Sequence, residues 1–368
     1  MRSQDTALYR PELVLRENAM LILHTSDLHL SEDKPKTIAA LDELLRLANE
    51  RSVDLMTIGG DLFDSAEDAE ALRSELRRKF SNNGFDILSI PGNHDIEAYA
   101  LNLDFGSDLT IVTEKPFKVI SKDNVSIVAL PFTERPFEEL LSGLRRAVER
   151  TKASILLLHC TLDIGFSAGD LGEGEALDYF PISTATLGRL GYDWVLSGHF
   201  HKTTNIRKLG DKGWFVYPGS PVSHTKKETG RRNTVLIDTS AETCQPIPLK
   251  CFYYDSFTVN VRPRTEDEAI QSIEKWITQR RGDDCALEVI VDGFIEKDEK
   301  EFRNSIEGIA EGVELDYRCR NITDVLEHPL FQRFKKKLAD SGAERKEEIE
   351  AKVIDAMARL LRTRELRA

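Results

Sequence analysis

The chain has 368 residues, of which 40% are hydrophobic and 31% are charged, and its formal net charge is −13 at pH 7. This length allows two or three domains, and the composition is typical of a globular protein with a hydrophobic core. The acidic balance argues against unspecific coating of nucleic acid, although metal ions and a small basic patch would still attract phosphate. Because no run of about 18 apolar residues occurs, we expect no membrane-spanning helix.

The start of the chain and its cysteines indicate the compartment. Residues 1–19 are polar and charged without an apolar signal core, so they are a terminal tail or an early gene start, since Met20 directly precedes the first strand. The five cysteines are scattered, without a CxxC pair: Cys160, Cys244, Cys251, Cys285 and Cys319. This pattern favours structural thiols in a reducing, cytoplasmic location.

From Met20 onward, short β-rich runs alternate with amphipathic helical runs. "MLILHTS" predicts a buried strand and "KTIAALDELLRLANERS" a helix, followed by the strand "VDLMTIGG", the helix "AEALRSELRRKFSNNG" and the strand "FDILSIPG". This order indicates an α/β sheet with helices packed on it. Later strands are predicted at "VSIVAL", "ASILLLH", "YDWVLSG", "GWFVYPG" and "NTVLIDT".

The character of the sequence changes near residue 250. A strand, helix, strand, helix, strand order up to about residue 320 predicts a small separate α/β module. From about Asn321 the chain is helical and highly charged, with a break at Ser341 and Gly342. The last helix carries an apolar stripe that either packs on the protein's own body or docks a partner. The stripe consists of Ile349, Val353, Ile354, Met357 and Leu360. The predicted segments are 1–19, 20–250, 251–320 and 321–368.

Five short motifs bring polar side chains to the carboxyl ends of predicted strands. They are "HTSDLHL" with Asp27 and His29, "GGDLFD" with Asp61, "PGNHD" with Asn93 and His94, "LLLHC" with His159, and "SGHFHK" with His199 and His201. In an open α/β sheet, ligands bind beyond the carboxyl ends of the strands. We therefore expect these side chains to meet at one edge.

The donor types suit a centre of two divalent metal ions. A bridging carboxylate with further oxygen and imidazole ligands is what such a centre needs, and the mix favours manganese, with iron and zinc as alternatives. Taken alone, Asp27 or Asn93 would be a turn or cap residue, and an isolated HxH a pair of surface histidines. All five motifs together favour a metal centre.

A basic loop follows "YPGS" and contains His224, Lys226, Lys227, Arg231 and Arg232. It is either a solvated turn or a contact to phosphate beside the metals, because Lys and Arg position a nucleic-acid backbone.

The motifs DxH, GD, GNHD, a lone His and GHxH, in this order over residues 20 to about 240, resemble the signature of the calcineurin-like metallophosphoesterases. The resemblance implies a two-sheet α/β sandwich flanked by helices, here with a small α/β cap domain and a C-terminal helical tail. "ILHTSDLHL", "GGDLFD", "PGNHD", "GHFHK" and "YPGS" are similar to the SbcD-type DNA repair nucleases, and YhaO-type relatives are similar too.

The resemblance also implies a role for each candidate residue. One divalent ion would be bound by Asp27, His29 and His201, and the other by Asn93, His159 and His199. Asp61 would bridge the two ions, and His94 would stabilise charge or protonate the leaving oxygen. Asp95 would orient a neighbour, and Asp64 stands where some members carry histidine.

The function implied is that of a DNA exo/endonuclease subunit in DNA repair. It would act with an SMC-like coiled-coil ATPase of the SbcC type, docked through the tail, and a homodimer is compatible with such a tail. Two alternatives remain open at this point. One is a phosphodiesterase or phosphatase on small nucleotides or phosphoproteins, and the other is a scaffold that regulates the ATPase.

Overall fold

The structure, a computed structural model, describes residues 20–101, 104–150, 152–163, 180–346, 348–350, 352–354 and 356–357. The predicted tail 1–19 and Leu360 of the apolar stripe lie outside these residues. The described residues form two compact units that divide between Tyr254 and Asp255. No helix in the described parts is long and apolar enough to cross a membrane. All five cysteines are free thiols.

The first unit is built from strands and helices that largely follow the predicted order. Its strands are β1 (Leu21–Thr25), β2 (Leu55–Ile58), β3 (Asp86–Ser89), β4 (Leu109–Ile111), β5 (Lys118–Lys122), β6 (Val125–Ala129), β7 (Ala153–His159), β8 (Thr161–Leu162), β9 (Pro181–Ile182), β10 (Trp194–Gly198), β11 (Asn205–Leu209), β12 (Gly213–Tyr217), β13 (Asn233–Asp238) and β14 (Thr243–Pro248). Its helices are α1 (Pro35–Arg51), α2 (Ala66–Lys79), α3 (Phe137–Ala147) and α4 (Thr184–Gly188), with a 3₁₀ turn at Ala98–Leu101.

Two six-stranded sheets form the body of this unit. The first has the order β14-β13-β1-β2-β3-β4 and the second the order β11-β12-β10-β7-β6-β5. Strand β1 is parallel to β2, and β7 is parallel to β10, so several carboxyl ends point the same way in each sheet. On its other side β1 pairs antiparallel with β13, with Ile22 opposite Ile237.

The sheets pack face to face, with helices on their outer faces. Because side chains alternate along a strand, Ile22 of β1 faces the layer between the sheets, while its neighbours Leu21 and Leu23 face α1 and α2. The inner layer also takes Leu157 of β7 and Leu196 of β10. A third core cluster joins the second sheet to α3 and α4. The predicted two-sheet α/β sandwich is thus confirmed.

The second unit is a smaller α/β layer. Its strands are β15 (Tyr253–Val261), which begins in the first unit, β16 (Cys285–Ile295), β17 (Glu314–Tyr317) and β18 (Arg320–Asn321). Its helices are α5 (Glu266–Thr278), α6 (Glu299–Ile309), α7 (Thr323–Glu327) and α8 (Pro329–Ala339). The sheet order is β15-β16-β17, with β18 pairing β16. Its core packs α5 and α6 on the sheet through residues such as Ile273, Phe302 and Ile306.

The described part of the apolar stripe packs within this second unit. Ile354 is buried in a small cluster formed by residues of α7 and α8. Val353 and Met357 pack against the same cluster, and Phe294 of β16 joins it. The stripe therefore covers its own neighbouring helices over the described residues.

Candidate metal centre

The first sheet brings four candidate ligands to one edge. Asp27 and His29 follow β1, Asp61 follows β2 and Asn93 follows β3. These three strands are adjacent and parallel, so their carboxyl ends open on the same edge of the sheet. This is the arrangement that the motifs predict.

The second sheet supplies the histidines. His159 is the last residue of β7, and β10, which pairs with β7 at this point, leads directly into His199 and His201. The backbone N–H of His199 donates to both carboxylate oxygens of Asp27, at 3.0 and 3.1 Å. His201 Nε2 lies 3.2 Å from His29 Nε2. The carboxyl ends of the two sheets therefore meet, and their side chains share one cluster.

One set of donors consists of Asp27, His29 and His201, all of them buried. His201 Nε2 lies 3.2 Å from His29 Nε2 and 3.8 Å from Asp27 Oδ1. Two nitrogens that bind one ion at about 2.1 Å from tetrahedral or cis positions are about 3.0–3.4 Å apart. The separation of the two imidazole nitrogens fits a shared metal ion.

A second set surrounds Asp61. Its Oδ2 lies 3.2 Å from His159 Nε2 and 3.9 Å from His29 Nε2, so this carboxylate stands between the two sets. His159 Nε2 is in turn 3.0 Å from Asn93 Oδ1. The ring of His199 lies 5.2 Å from that of His159. The structure thus brings together all seven residues that the sequence predicts as metal ligands.

Two glycines leave room for this crowding. A Cβ added to Gly92 would lie 2.1 Å from Asp61 Oδ1, and one added to Gly60 would lie 2.3 Å from His159 Nδ1. Gly60 also has a φ of +106°, which side-chain-bearing residues rarely adopt. Substitution at either glycine would push the carboxylate or the imidazole out of the cluster.

Several candidate ligands hold an uncommon backbone conformation themselves. The φ angles are 54° at Asp27, 45° at His29, 51° at Asp61 and 113° at His199. Non-glycine residues with positive φ cost free energy and collect at functional sites. Here the N–H of Asp27 donates to the carbonyl of Gly60 at 3.0 Å, so the loops after β1 and β2 hold each other.

The donor chemistry fits two divalent ions. Carboxylate and carboxamide oxygens together with imidazole nitrogens suit manganese, iron or zinc. Asp61 Oδ2 is buried, with His159 Nε2 3.2 Å away. A buried carboxylate is costly unless a positive charge neutralises it, and a metal ion or the protonated imidazole of His159 supplies that charge.

The charges of the cluster shift its pKa values strongly. Burial lowers the pKa of His29, but the hydrogen bond with Asp64 and the charges of Asp61 and Asp27 outweigh it and raise that pKa to about 9. Burial likewise opposes the charge of Asp61 at His159, and the net effect raises the pKa of His159 to about 10. Burial raises the pKa of Asp61, but the charges of the histidines dominate and lower it. Protons thus compete with metal for these imidazoles.

Two further predicted residues follow Asn93. His94 is exposed, its ring lies 4.9 Å from that of His29, and its backbone N–H donates to Asp61 Oδ1 at 3.0 Å. Asp95 is buried and accepts hydrogen bonds from the backbone of the loops after β2 and β3 and from the Tyr99 hydroxyl. Burial raises the pKa of Asp95 to about 6. Asp95 therefore holds the two ligand loops together through their backbone.

The predicted basic loop divides into exposed and buried parts. Lys226, Lys227 and Arg231 are exposed, whereas Arg232 is buried. Its guanidinium donates to backbone carbonyls, including those of Ser220 at 2.9 Å and Lys202 at 3.0 Å, and to that of His201. The structure corrects the prediction for Arg232, because a guanidinium enclosed by carbonyls has no surface for phosphate. It holds the loop to the segment of His201.

His224 lies between these parts, half-buried beside the cluster of candidate ligands. Its Nε2 is 3.0 Å from the carbonyl oxygen of Asp27, and its ring is 5.0 Å from that of His29. Burial and the neighbouring histidines lower its pKa to about 3, so it is neutral. The loop is therefore fastened directly to the ligand segment after β1.

Sequence reasoning did not predict the contacts that two carboxylates make with the histidines. Asp64 Oδ1 lies 3.3 Å from His29 Nδ1, and Glu228 Oε1 lies 3.3 Å from His201 Nδ1. Both are visible as signals in the sequence, Asp64 inside "GGDLFD" and Glu228 as the one acid in "HTKKETGRR". Their contact with the histidines depends on loops that the sequence does not specify.

Residues 20–203 match the family model described as calcineurin-like phosphoesterase. The chain is 24% identical over 242 residues to the metallophosphoesterase YhaO of Bacillus subtilis (strain 168), covering 59% of this chain and 57% of that protein. The chain thus spans little more than half the length of that relative.

Solved structures that match this chain have lower sequence identity. A dimetal phosphatase from Danio rerio is 8% identical, with a TM-score of 0.41, and covers 60% of this chain and 95% of its own. GAP50, the anchor in the inner membrane complex of Plasmodium, is 12% identical, with a TM-score of 0.41, and covers 63% of this chain and 89% of its own.

Proposed function

Because the chain belongs to the calcineurin-like phosphoesterase family, whose members typically bind two divalent metals, we propose that it is a dinuclear-metal phosphodiesterase that cleaves DNA. It would be an exo/endonuclease subunit of the SbcD type, working in DNA repair. Family membership supports metal-dependent phosphoesterase chemistry. The basic loop after β12 supports DNA as the substrate.

The observation that carries the choice of DNA is the loop after β12. His224 fastens it beside the metal centre, and the exposed Lys226, Lys227 and Arg231 follow within a few residues. On a chain with a net charge of −13, a local group of exposed cations in the loop that His224 attaches to Asp27 is a place where a phosphate backbone would be held.

The chain's residues would divide the work of hydrolysis. Asp27, His29 and His201 would hold one ion, and Asn93, His159 and His199 the other, with Asp61 shared between them. When bound, two divalent ions supply the charge that polarises a phosphoryl oxygen and activates a water molecule. The carbonyls and carboxylates behind the histidines keep the imidazole nitrogens aimed into the cluster.

His94 would act on the leaving oxygen. It is exposed at the rim of the cluster, and the N–H of its own backbone is held by Asp61. An imidazole in this place can donate a proton to the oxygen that departs from phosphorus. Asp95 would keep Asn93 and His94 in register with Asp61 through the backbone bonds described above.

The test is hydrolysis of end-labelled single- and double-stranded DNA with added Mn²⁺, compared with bis-p-nitrophenyl phosphate. We expect phosphodiester cleavage of DNA that falls with rising salt, since cation contacts to phosphate weaken with ionic strength. Replacing Lys226, Lys227 and Arg231 by Ala should reduce DNA cleavage and spare the small substrate. Equal turnover of DNA by this variant and the wild type would contradict the proposed DNA contact.

Two rival functions predict other outcomes in the same assays. A phosphodiesterase or phosphatase for small nucleotides or phosphoproteins would hydrolyse the small substrate and leave DNA intact. A scaffold would keep its biological role after replacement of Asp61. The three exposed cations in the loop of His224 favour DNA over both.

We further propose an SMC-like coiled-coil ATPase of the SbcC type as partner, and the cytoplasm as the place of action. The partner is supported by the charged helices of the second unit, where Leu330 of α8 is 62% exposed and the same helix carries the exposed Lys336 and Lys337. Size-exclusion chromatography of the chain with such an ATPase should show a complex, and Leu330→Glu should weaken it. A chain that elutes alone, or as a dimer of itself, would contradict the partner.

A further inference from the structure

Two carboxylates stand behind the histidines of the first donor set. Asp64 Oδ1 lies 3.3 Å from His29 Nδ1, and Glu228 Oε1 lies 3.3 Å from His201 Nδ1. The Nε2 atoms of these two histidines are the ones that approach each other at 3.2 Å. Each imidazole therefore has its inner nitrogen in the cluster and its outer nitrogen against a carboxylate.

Burial and several hydrogen bonds fix the side chain of Glu228 in its contact with His201. It is 0% exposed, and its Oε2 accepts the backbone N–H of His224 at 2.8 Å and the Ser220 hydroxyl at 3.4 Å. Arg232 donates to the carbonyls of both Glu228 and His201. A buried carboxylate with this many donors cannot swing away from the imidazole it contacts.

Asp64 is held from the opposite side. Its Oδ2 accepts from Lys34 Nζ at 2.7 Å, and its backbone N–H donates to the carbonyl of Leu30 at 3.2 Å. Its side chain is 32% exposed, so this contact lies closer to solvent than that of Glu228. The two carboxylates come from different loops. Asp64 contacts His29, and Glu228 contacts His201.

In the second donor set, the outer nitrogen of His159 contacts a backbone carbonyl instead of a carboxylate. His159 Nδ1 lies 2.8 Å from the backbone carbonyl of Gly59, a neutral acceptor. A carboxylate makes an imidazole a stronger donor to a metal than a carbonyl does, and it adds negative charge near the ion. Asn93, which contacts His159, brings no charge either.

We propose that Asp64 and Glu228 are positioning residues that fix His29 and His201 and make the ion they hold with Asp27 the more tightly bound of the two. The inference rests on the metal ligands proposed above, and it holds whichever phosphodiester is hydrolysed. Neither residue needs to touch the substrate.

The test is calorimetric titration of the metal-free protein with Mn²⁺, in parallel with elemental analysis of the metal retained after gel filtration. Wild-type protein should bind two ions in two phases. Asp64→Asn and Glu228→Gln should each weaken the tighter phase by about 10–100-fold, and they should leave the weaker phase close to its wild-type value. With Co²⁺ in the tighter site, the visible absorption bands should shift in both variants.

Two control variants separate these effects from general damage. Asp68→Asn changes a half-buried aspartate that contacts Ser65 and the backbone of Glu32, and Glu266→Gln changes a buried glutamate in the second unit. Both controls should bind Mn²⁺ as the wild type does and leave the Co²⁺ spectrum unchanged. If Glu228→Gln fails to fold, the more exposed Asp64→Asn still decides the question.

The outcomes are distinct. Unchanged affinities in both variants, or equal weakening of both phases, would overturn the inference while leaving the metal centre and its hydrolysis in place. A wild-type protein that binds no divalent ion would overturn the proposed metal centre together with the inference.

Discussion

The two units of the chain differ in what they bury. The first unit encloses charged and titratable groups, among them Asp27, Asp61, Asp95 and His159, all at 1% exposure or less. In the described part of the second unit, Glu266 is the one buried polar or charged residue, and its carboxylate accepts a backbone N–H. Hydrophobic packing alone explains the second core, whereas the first contains groups whose burial is costly without a ligand. A cluster of buried charged groups therefore marks the functional part of the chain.

The largest loss of activity is expected when the carboxylate that lies between the two donor sets, Asp61, is changed. Asp61→Asn should lower hydrolysis of bis-p-nitrophenyl phosphate by about 10³-fold or more, because a neutral amide cannot hold two cations together. Elemental analysis should show metal loss in the same variant. The matched change Glu266→Gln in the second unit should leave turnover and metal content intact. Two retained ions with near wild-type turnover in Asp61→Asn would contradict the bridging role.

A change at the rim should separate chemistry from metal binding. His94→Ser should lower kcat by about 10²–10⁴-fold, the usual effect of losing a general acid. Both ions should remain, because the imidazole of His94 is proposed to serve the leaving oxygen. Loss of one ion in this variant, measured by elemental analysis, would make His94 a ligand instead.

The affinity of the first unit for Mn²⁺ should rise with pH. Because the pKa values of His29 and His159 are raised to about 9 and about 10, their protonated forms stabilise the metal-free fold fully below about 6.5. That contribution is lost as pH rises through the folded pKa values. Metal binding needs the protons removed, so affinity for Mn²⁺ should increase by about tenfold per pH unit for each proton released between pH 6.5 and 9. Calorimetry at several pH values checks this, and an affinity that falls with pH would contradict it.

The smallest effect on activity is expected from a substitution in the hydrophobic core of the second unit. Ile306 is fully buried in the second unit, and Ile306→Ala should cost about 2–5 kcal/mol of stability there. Turnover of bis-p-nitrophenyl phosphate should nevertheless stay at its wild-type value, because every candidate ligand lies in the first unit. Hydrogen exchange should locate the loosened amides in α5, α6 and β16. A parallel loss of turnover would show that the centre depends on the second unit.

Much of the candidate centre could be predicted because its candidate ligands follow buried strands within short motifs. Period and composition place β1, β2, β3, β7 and β10, and the order of parallel strands then brings their ends together. Edge strands are harder to predict: β5 has no buried residue, and β14 contains prolines, so neither has a strong apolar signal.

Contacts between distant loops were not predictable. Glu228 and His201 are 27 residues apart, and nothing in the local pattern shows that an acid among lysines and arginines is fully buried. Arg232 illustrates the converse, since its neighbours in the sequence are exposed cations while its own guanidinium is enclosed by carbonyls. Burial of single charged residues depends on tertiary contacts that periodicity does not encode.

The pairing of β1 with β13 has a consequence for how the protein is made. Thr234 of β13 donates its hydroxyl to the carbonyl of His24 in β1, 210 residues earlier in the chain. At a synthesis rate of about 5–20 residues per second, the ribosome needs about 10–40 s to deliver that partner strand after β1 has emerged. During this interval β1, the strand that directly precedes Asp27 and His29, has one open edge. The first sheet is therefore closed on this side only late in synthesis, and until then β1 can pair with the strand edge of another chain.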